Sequence, residues 1–325
     1  MRFTPEEKGE IILLVERSEL SVNKTLQALG IHKSTFYKWY NAYLQKGKEG
    51  LNMTAATRNR QWNAIPEEQK QVVVELALEH THLSSRELAV KITDEQGVFI
   101  SESSVYRILK RRGLITAPAY ILLSASNEFT DKTSFVHQMW QTDFTYFKIL
   151  GWGWYYLSTV LDDYSRFIIH WELCEGMKAD DVQRTIDQAR EKAGLKEHQR
   201  PKLLSDNGSC YIASELKEYL QTKHMQHIRG RPLHPQTQGK IERCHRSMKN
   251  VVKLNYYYYP EELKEALSGF VNYYNYERYH ESLDNVTPAD VYFGKREQIL
   301  KRREKIKHKT LKQRRRHYIM NKPII

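Results

Sequence analysis

The 325-residue sequence predicts an α/β chain: a mixed five-stranded sheet with flanking helices, preceded by two all-α units. Three observations predict it. Helical periodicity, punctuated by Ser/Thr caps and glycines, fills the first 113 residues. Segments rich in Phe, Tyr, Trp, Ile and Val begin near Trp140. Short apolar runs then alternate with amphipathic ones, the order expected of a sheet covered by helices.

The first unit spans residues 1–52. Thr4 and Pro5 read as the cap and first position of a helix carrying Ile11, Leu14 and Val15. Ser21 caps a second helix, Val22 to Leu29; Gly30 turns the chain, and a third helix begins near Ser34. Helix, Gly-containing turn and helix form the helix-turn-helix plan. Lys33, Ser34, Thr35 and Lys38 lie near the start of its second helix, where base edges are usually contacted. A plain three-helix bundle fits the same pattern.

A second unit of this shape spans residues 64–113. Pro66 starts a helix, Ser84 or Ser85 caps Arg86–Gln96, and Ser101 or Ser103 caps a last helix exposing Arg107, Lys110, Arg111 and Arg112. Polar stretches at 52–64 and 113–136 read as linkers.

The strands follow at residues 139–149, 154–161 and 166–173. After them come a helix at 179–193, a strand at Pro201–Ser205, a helix at 213–222, a strand at Met225–Arg229 and a long helix from Gly239. Three antiparallel strands followed by alternating helices and strands is the ribonuclease-H-like order.

Composition narrows the classes. With 40% hydrophobic residues the chain can bury a core, and with 28% charged residues it reads as soluble. No apolar run approaches the roughly 18 residues a bilayer crossing needs. The acidic start, Met1 to Glu7, is not a signal peptide. Cys174, Cys210 and Cys244 are odd in number and never in a C-x-x-C pair, which argues against a disulfide framework and a zinc site and favours a reducing cytoplasm. Of the net charge of +12, nearly all lies in residues 295–325, which hold 13 Lys/Arg against Glu297 and Glu304. Such a basic tail attracts phosphate backbones without reading sequence; a solvated solubility tail has the same composition.

Three acids stand out by context. Asp143 lies inside the hydrophobic segment Trp140-Gln141-Thr142-Asp143, where a charge is costly unless paired or metal-bound. Asp206 follows Leu203-Leu204, at the carboxyl end of a short strand, where α/β ligand sites form. Glu242 lies in the first turn of the long helix. Singly, each reads as well as an ion pair, a turn residue or a complement to the helix dipole.

Taken together, Trp140-Gln141-Thr142-Asp143, Ser205-Asp206-Asn207-Gly208 and His234-Pro235-Gln236-Thr237-Gln238-Gly239-Lys240-Ile241-Glu242-Arg243 resemble the three motif segments of bacterial insertion-sequence transposases of the DDE class, with a core like that of retroviral integrases. Between Asp206 and Glu242 lie 35 residues, as in that family's D-35-E spacing. The likeness covers roughly residues 135–294 and includes Leu161-Asp162-Asp163-Tyr164-Ser165-Arg166, Asn272-Tyr273-Tyr274-Asn275 and Thr287-Pro288-Ala289. One departure is Gln238, where relatives often carry Asn.

The resemblance implies a ribonuclease-H-like catalytic domain with Asp143, Asp206 and Glu242 as a triad binding two Mg²⁺ or Mn²⁺ ions. It implies double-stranded DNA as partner, homo-oligomers on DNA and a bacterial cytoplasmic setting with nucleoid association. Carboxylates suit hard cations, and two such ions roughly 3.5–4 Å apart serve in-line phosphoryl displacement. On the Glu242 helix, Arg246, Lys249 and Lys253 share one face, and Ile241, Met248 and Val252 share another. Lys240 and Arg243 are further expected DNA contacts, with Arg107 and Arg111 from the second unit. His224, His227, His234 and His245 fit no zinc spacing. Asp162 and Asp163 read as strand-turn acids, and Tyr256–Tyr259, Tyr273, Tyr274 and Tyr276 as base-stacking or packing residues. The rival reading is a sequence-specific DNA-binding regulator derived from an inactive transposase.

Overall fold

The computed structural model describes residues 3–18, 20–51, 61–115, 133–196, 199–230 and 238–321. Two compact units result, one of residues 1–64 with 314–325 and one of residues 65–313.

The first unit holds α1 (Pro5–Arg17), α2 (Val22–Ala28) and α3 (Lys33–Lys46). Thr4 and Glu7 close a reciprocal capping box at the start of α1, with Pro5 in its first turn. Gly30 takes φ 68° between α2 and α3, a conformation a side chain would strain. Ile12, Val15, Leu26, Ile31, Phe36 and Leu51 form the core. Lys33, Ser34, Thr35 and Lys38 are all exposed at the start of α3.

The second unit opens with α4 (Glu67–Glu79), α5 (Ser85–Gln96) and α6 (Glu102–Arg111). Ser84 makes the capping box of α5 with Glu87, and Gly97 ends the helix in a left-handed conformation. Val73, Leu88, Ile92, Ile100, Val105 and Leu109 lie in its core.

The sheet follows: β1 (Met139–Ile149), β2 (Gly153–Asp162), β3 (Ile168–Cys174), then α7 (Ala179–Lys192), β4 (Lys202–Ser205), α8 (Ser209–Ile212), α9 (Ser214–Thr222) and β5 (His227–Arg229). Strand order is β3-β2-β1-β4-β5. The first three strands are antiparallel, and β4 and β5 run parallel to β1 and to each other. This is the mixed ribonuclease-H-like sheet read from the sequence. α10 (Gly239–Val252), α11 (Pro260–Asn272), α12 (Pro288–Tyr292) and α13 (Arg296–Met320) complete the chain.

The sheet divides two cores by strand parity. Trp140, Val160 and Leu203 pack with α7 and α9, through Val182, Ile186 and Leu216. Phe147, Ile149, Leu157 and Leu161 pack with α10 and α11, through Ile241, Met248, Val252 and Leu267. Ile241, Met248 and Val252 are essentially inaccessible, so the apolar stripe of α10 lies on the sheet as its spacing requires.

Residues 295–325, read as a tail, are helical from Arg296 to Met320. Within the second unit, Arg303 binds both carboxylate oxygens of Asp94 in α5, at 2.8 and 2.6 Å. Thr310 Oγ1 accepts the Phe99 N–H at 3.1 Å. The cysteines are free thiols, each buried. Among the described residues no helix is long and apolar enough to cross a membrane.

Candidate active site

β4 pairs with β1 only at Met139–Gln141. Past Gln141, no strand among the described residues covers that edge of β1. Asp143 lies on this open stretch, half-buried, on the face that meets α10. Glu242, in the first turn of α10, faces it across a groove of about 710 Å³. The walls include Asp143, Glu242, His245, Arg246, Lys249 and Lys253.

Asp206 lies one residue past β4. The parallel register pairs Gln141 with Leu204; continued two residues, it sets Asp206 level with Asp143 on the adjoining strand. The Asp206 carboxylate is exposed and accepts the Gly208 N–H at 2.8 Å. It does not belong to the groove wall with the other two acids. Among the described residues no three His, Cys, Asp or Glu side chains are gathered as a ready metal cage. The segment 231–237, with His234 and all of Pro235–Thr237, lies outside the described residues.

Electrostatics fit a divalent cation nonetheless. Burial, then the charge of Asp143, raises the Glu242 carboxyl above its usual range; Arg246, His245 and Arg243 oppose the rise. Neither Asp143 nor Glu242 is ion-paired with a Lys or Arg among the described residues, although the groove is rich in both. Two facing carboxylates left without such a partner are hard oxygen donors suited to Mg²⁺ or Mn²⁺.

Sequence reading missed the supporting side chains. His245, one turn beyond Glu242 and almost fully buried, sets Nδ1 3.3 Å from Asp143 Oδ2 and Nε2 3.1 Å from Thr159 Oγ1. Its i+3 spacing from Glu242 was the available signal. Gln141 donates to Asp163 Oδ1 at 2.7 Å and accepts the Ile241 N–H at 3.0 Å, which ties α10 to β1. Gln238 donates to the Thr142 carbonyl at 3.3 Å.

The two spare acids part company. Asp162 is the turn residue expected, accepting from Ser165 N at 2.8 Å, Ser165 Oγ at 2.6 Å and His137 N at 2.8 Å. Asp163 does more than end a strand. It accepts from Gln141 and Thr133 and forms a short ion pair with Lys240, whose Nζ also donates to the Asp163 carbonyl at 3.0 Å. Lys240 is thereby drawn towards the fold, with about a quarter of its side chain still exposed. Burial and the nearby Arg166 lower its pKa, and Asp163 opposes the change.

The other expected contacts are placed as follows. Arg246, Lys249 and Lys253 line the groove, Lys249 with its ammonium 4.4 Å from the centre of the Tyr146 ring. Arg243 is exposed but is not part of the groove wall, its Nε donating to the Gly239 carbonyl at 2.7 Å. Arg107 and Arg111 are exposed on α6, Arg107 bonded to the Ser103 carbonyl at 2.9 Å. Of the tyrosines, Tyr274 is core, Tyr257 is partly buried with its hydroxyl on the Val252 carbonyl, and Tyr256, Tyr258, Tyr259 and Tyr276 are exposed.

A sheet of this order thus carries one acid on β1, one just after β4 and one at the head of α10. The family model described as "Integrase core domain" matches residues 135–235, and a second of the same description matches 223–288. Two models described as "Homeodomain-like domain" match residues 4–52 and 35–109. The chain is 28% identical over 155 residues to the putative transposase InsK of insertion sequence IS150 from Escherichia coli, covering 47% of this chain and 54% of that protein. It is 27% identical over 163 residues to the IS904 transposase of Lactococcus lactis, covering 49% and 62%. With the Gag-Pro-Pol polyprotein of Mason-Pfizer monkey virus it shares 30% identity over 120 residues, 37% of this chain and 6% of the polyprotein. The matched segment thus spans little more than half the length of the two transposases. Residues 135–288 thus match integrase core domain models, behind segments that match homeodomain-like ones, and the chain resembles insertion-sequence transposases with a retroviral-integrase-like core.

Proposed function

We propose that the chain is a transposase, which cuts DNA at the ends of an insertion sequence and joins those ends to a target. The observation that carries this reading is the pair Asp143 and Glu242, facing each other with no Lys or Arg partner among the described residues, inside a groove walled by Arg246, Lys249 and Lys253. A structural ion-pair cluster would have consumed those charges.

Asp143, Asp206 and Glu242 would hold the metal ions. When bound, two divalent cations would activate the attacking oxygen and stabilise the leaving one in an in-line displacement. His245 fixes the Asp143 carboxylate from behind. The Asp163–Lys240 pair and Gln141 fix the head of α10, and with it Glu242. Arg246, Lys249 and Lys253, with Arg243, lead the phosphate backbone to the acids. The exposed Lys33, Ser34, Thr35 and Lys38 of α3, and Arg107 and Arg111 of α6, would engage double-stranded DNA outside the core. Assembly of several copies on DNA belongs to the same reading.

Asp143→Asn, Asp206→Asn and Glu242→Gln test it. With labelled end DNA in Mg²⁺ or Mn²⁺, each should lose cleavage and strand transfer, on the order of a thousandfold or more, because groups acting as a unit fail together. Gel-shift binding should persist in all three. Ca²⁺ should support binding with little chemistry. Joining that survives in Glu242→Gln would sink the triad and favour the DNA-binding regulator.

A further inference from the structure

The turn between β2 and β3 holds a residue its backbone does not suit. Arg166 takes φ 63°, a left-handed conformation uncommon for side chains other than Asn or Asp. Its Nε is buried and has no hydrogen-bond partner among the described residues. A strained backbone and an unsatisfied buried donor both cost stability, and such costs gather at functional sites.

Two further elements bring cations to the same place. Asn275 bonds both backbone groups of Ile168, at 2.9 and 3.0 Å, and so holds the helical turn Tyr273–Glu277 against the start of β3. Arg278 follows that turn, its guanidinium 5.5 Å from the centre of the buried Tyr274 ring, with His280 6.0 Å from the same ring. The Lys240–Asp163 ion pair draws in the first turn of α10, and Arg243 with it. Burial, then the charges of Arg278, Arg166 and Arg243, pushes His280 down to about 4, so three cations crowd one neutral imidazole. Acids of the region are engaged elsewhere: Asp163 with Lys240, Glu281 with Arg86 and Asp284 with Arg296. Among the described residues none of the three arginines is ion-paired, and none lines the groove of Asp143 and Glu242.

We propose that Arg166, Arg243 and Arg278 form a phosphate site, with His280 in its wall, separate from the acid groove. A guanidinium is a planar fork of N–H donors matched to phosphate oxygens. Donors arriving from three elements suit a tetrahedral phosphate, whose oxygens point in different directions, better than a planar carboxylate. A bound phosphate would also neutralise the repulsion among the three arginines. Free phosphate and a phosphate of the DNA backbone present the same chemistry. The second source rests on the transposase reading: Arg243 follows Glu242, about 100° round α10, so a backbone phosphate held here would brace the DNA beside that acid.

Thermal melts of the whole chain, in sodium phosphate and in sodium chloride of equal ionic strength, test the site with inorganic phosphate as the probe. At about five times its dissociation constant, phosphate should raise the wild-type melting point by about 2–4 °C. Arg166→Asn, which suits the left-handed backbone, and Arg278→Gln should each lose most of that gain. In chloride, Arg166→Asn should melt no lower than wild type, because it relieves strain and removes an unsatisfied buried donor. A lower melting point there would make Arg166 a structural residue and overturn the site. An equal phosphate gain in wild type and both variants would be a general salt effect and would overturn it too. A scan of end DNA carrying single neutral methylphosphonate linkages then separates the sources. One linkage should weaken wild-type binding by about tenfold and leave Arg278→Gln unaffected. If phosphate stabilises wild type alone and no linkage matters, free phosphate is the ligand and the site stands. If phosphate stabilises wild type alone and no DNA is bound, the site stands and the transposase reading falls.

Discussion

His245 is held at both ring nitrogens, by Asp143 at 3.3 Å and by Thr159 at 3.1 Å, and it makes no contribution to the groove's basic charge that its neighbours could not supply. Its value is positional. With His245→Ala the Asp143 carboxylate loses the group that limits its rotation. Strand transfer should fall about 10- to 100-fold, the range for residues that orient metal ligands, with DNA binding retained. His245→Gln should recover part of the loss; equal activity in wild type and His245→Ala would reject the positioning role. A second residue-scale prediction concerns pH. Burial, followed by Arg278, Arg166 and Arg243, pushes His280 down to about 4, and burial with Lys192 does the same to His170. Both histidines are neutral in the folded chain and titrate near their ordinary value when unfolded. The unfolded state therefore binds more protons between those limits, and stability falls as pH is lowered from about 6.5 towards 4. Denaturant midpoints measured across that window should drop with pH, and less steeply in His280→Gln. At this scale the acids were legible in the sequence because the motifs mark them by local context and by the interval to Glu242. His245 was less so, since only its spacing pointed inward and a histidine on an amphipathic helix is ordinarily just packed.

Elements were legible where caps and periodicity spoke for themselves. The Thr4 box of α1, the Ser84 box of α5 and the two faces of α10 all follow from local pattern, and the structure shows them. The anchoring of one element on another was not legible. Asp163 sits in a turn and looks like a turn residue, yet Lys240 lies 77 positions away and reaches it only through the sheet register. Gln141 reaches Ile241 across 100 positions in the same way. Asp163→Asn therefore cannot serve as an innocent neighbour of the triad. It keeps the Thr133 contact but leaves the half-buried Lys240 without its counter-charge. The cost should be about 3–5 kcal/mol, the range for breaking one side of a buried pair, and at the low end because Lys240 retains some exposure. Thermal melts should show that loss, and the double variant Asp163→Asn with Lys240→Met should recover part of it, since it removes the ammonium left without a counter-charge. Recovery of stability without recovery of activity would place the ion pair in the alignment of Glu242. No stability difference between wild type and Asp163→Asn would show that the pair is not what holds α10.

For the whole molecule, the charge distribution that first suggested nucleic acid acquires a shape. The basic segment is a helix, and part of it is structural: Arg303 engages Asp94, and Thr310 caps the Phe99 N–H within the second unit. Deleting residues 296–325 would therefore remove a packing element along with the charge, and a loss of binding would not report on charge alone. Lys301, Lys305, Lys309 and Lys312 are exposed and fall at steps of four, four and three, on one side of α13. None is used in the packing just described. Replacing all four with Gln removes charge and preserves helix propensity. If they meet DNA, they meet phosphates, and affinity for every sequence should fall together. The slope of log K against log salt should shrink by about 0.9 for each phosphate no longer neutralised, so by up to about 3–4. Discrimination between end DNA and random DNA should not change, because phosphate contacts position and base contacts specify. The complementary set, Lys33→Ala, Thr35→Ala and Lys38→Ala on the exposed start of α3, should behave oppositely: random-sequence affinity falls modestly, while preference for the ends disappears, at about 1–3 kcal/mol per base-reading side chain. Equilibrium titrations of both variants against both DNAs at several salt concentrations separate the two effects. Should the four α13 lysines alone prove to carry the preference for ends, this assignment of specificity to the helix-turn-helix unit would be wrong.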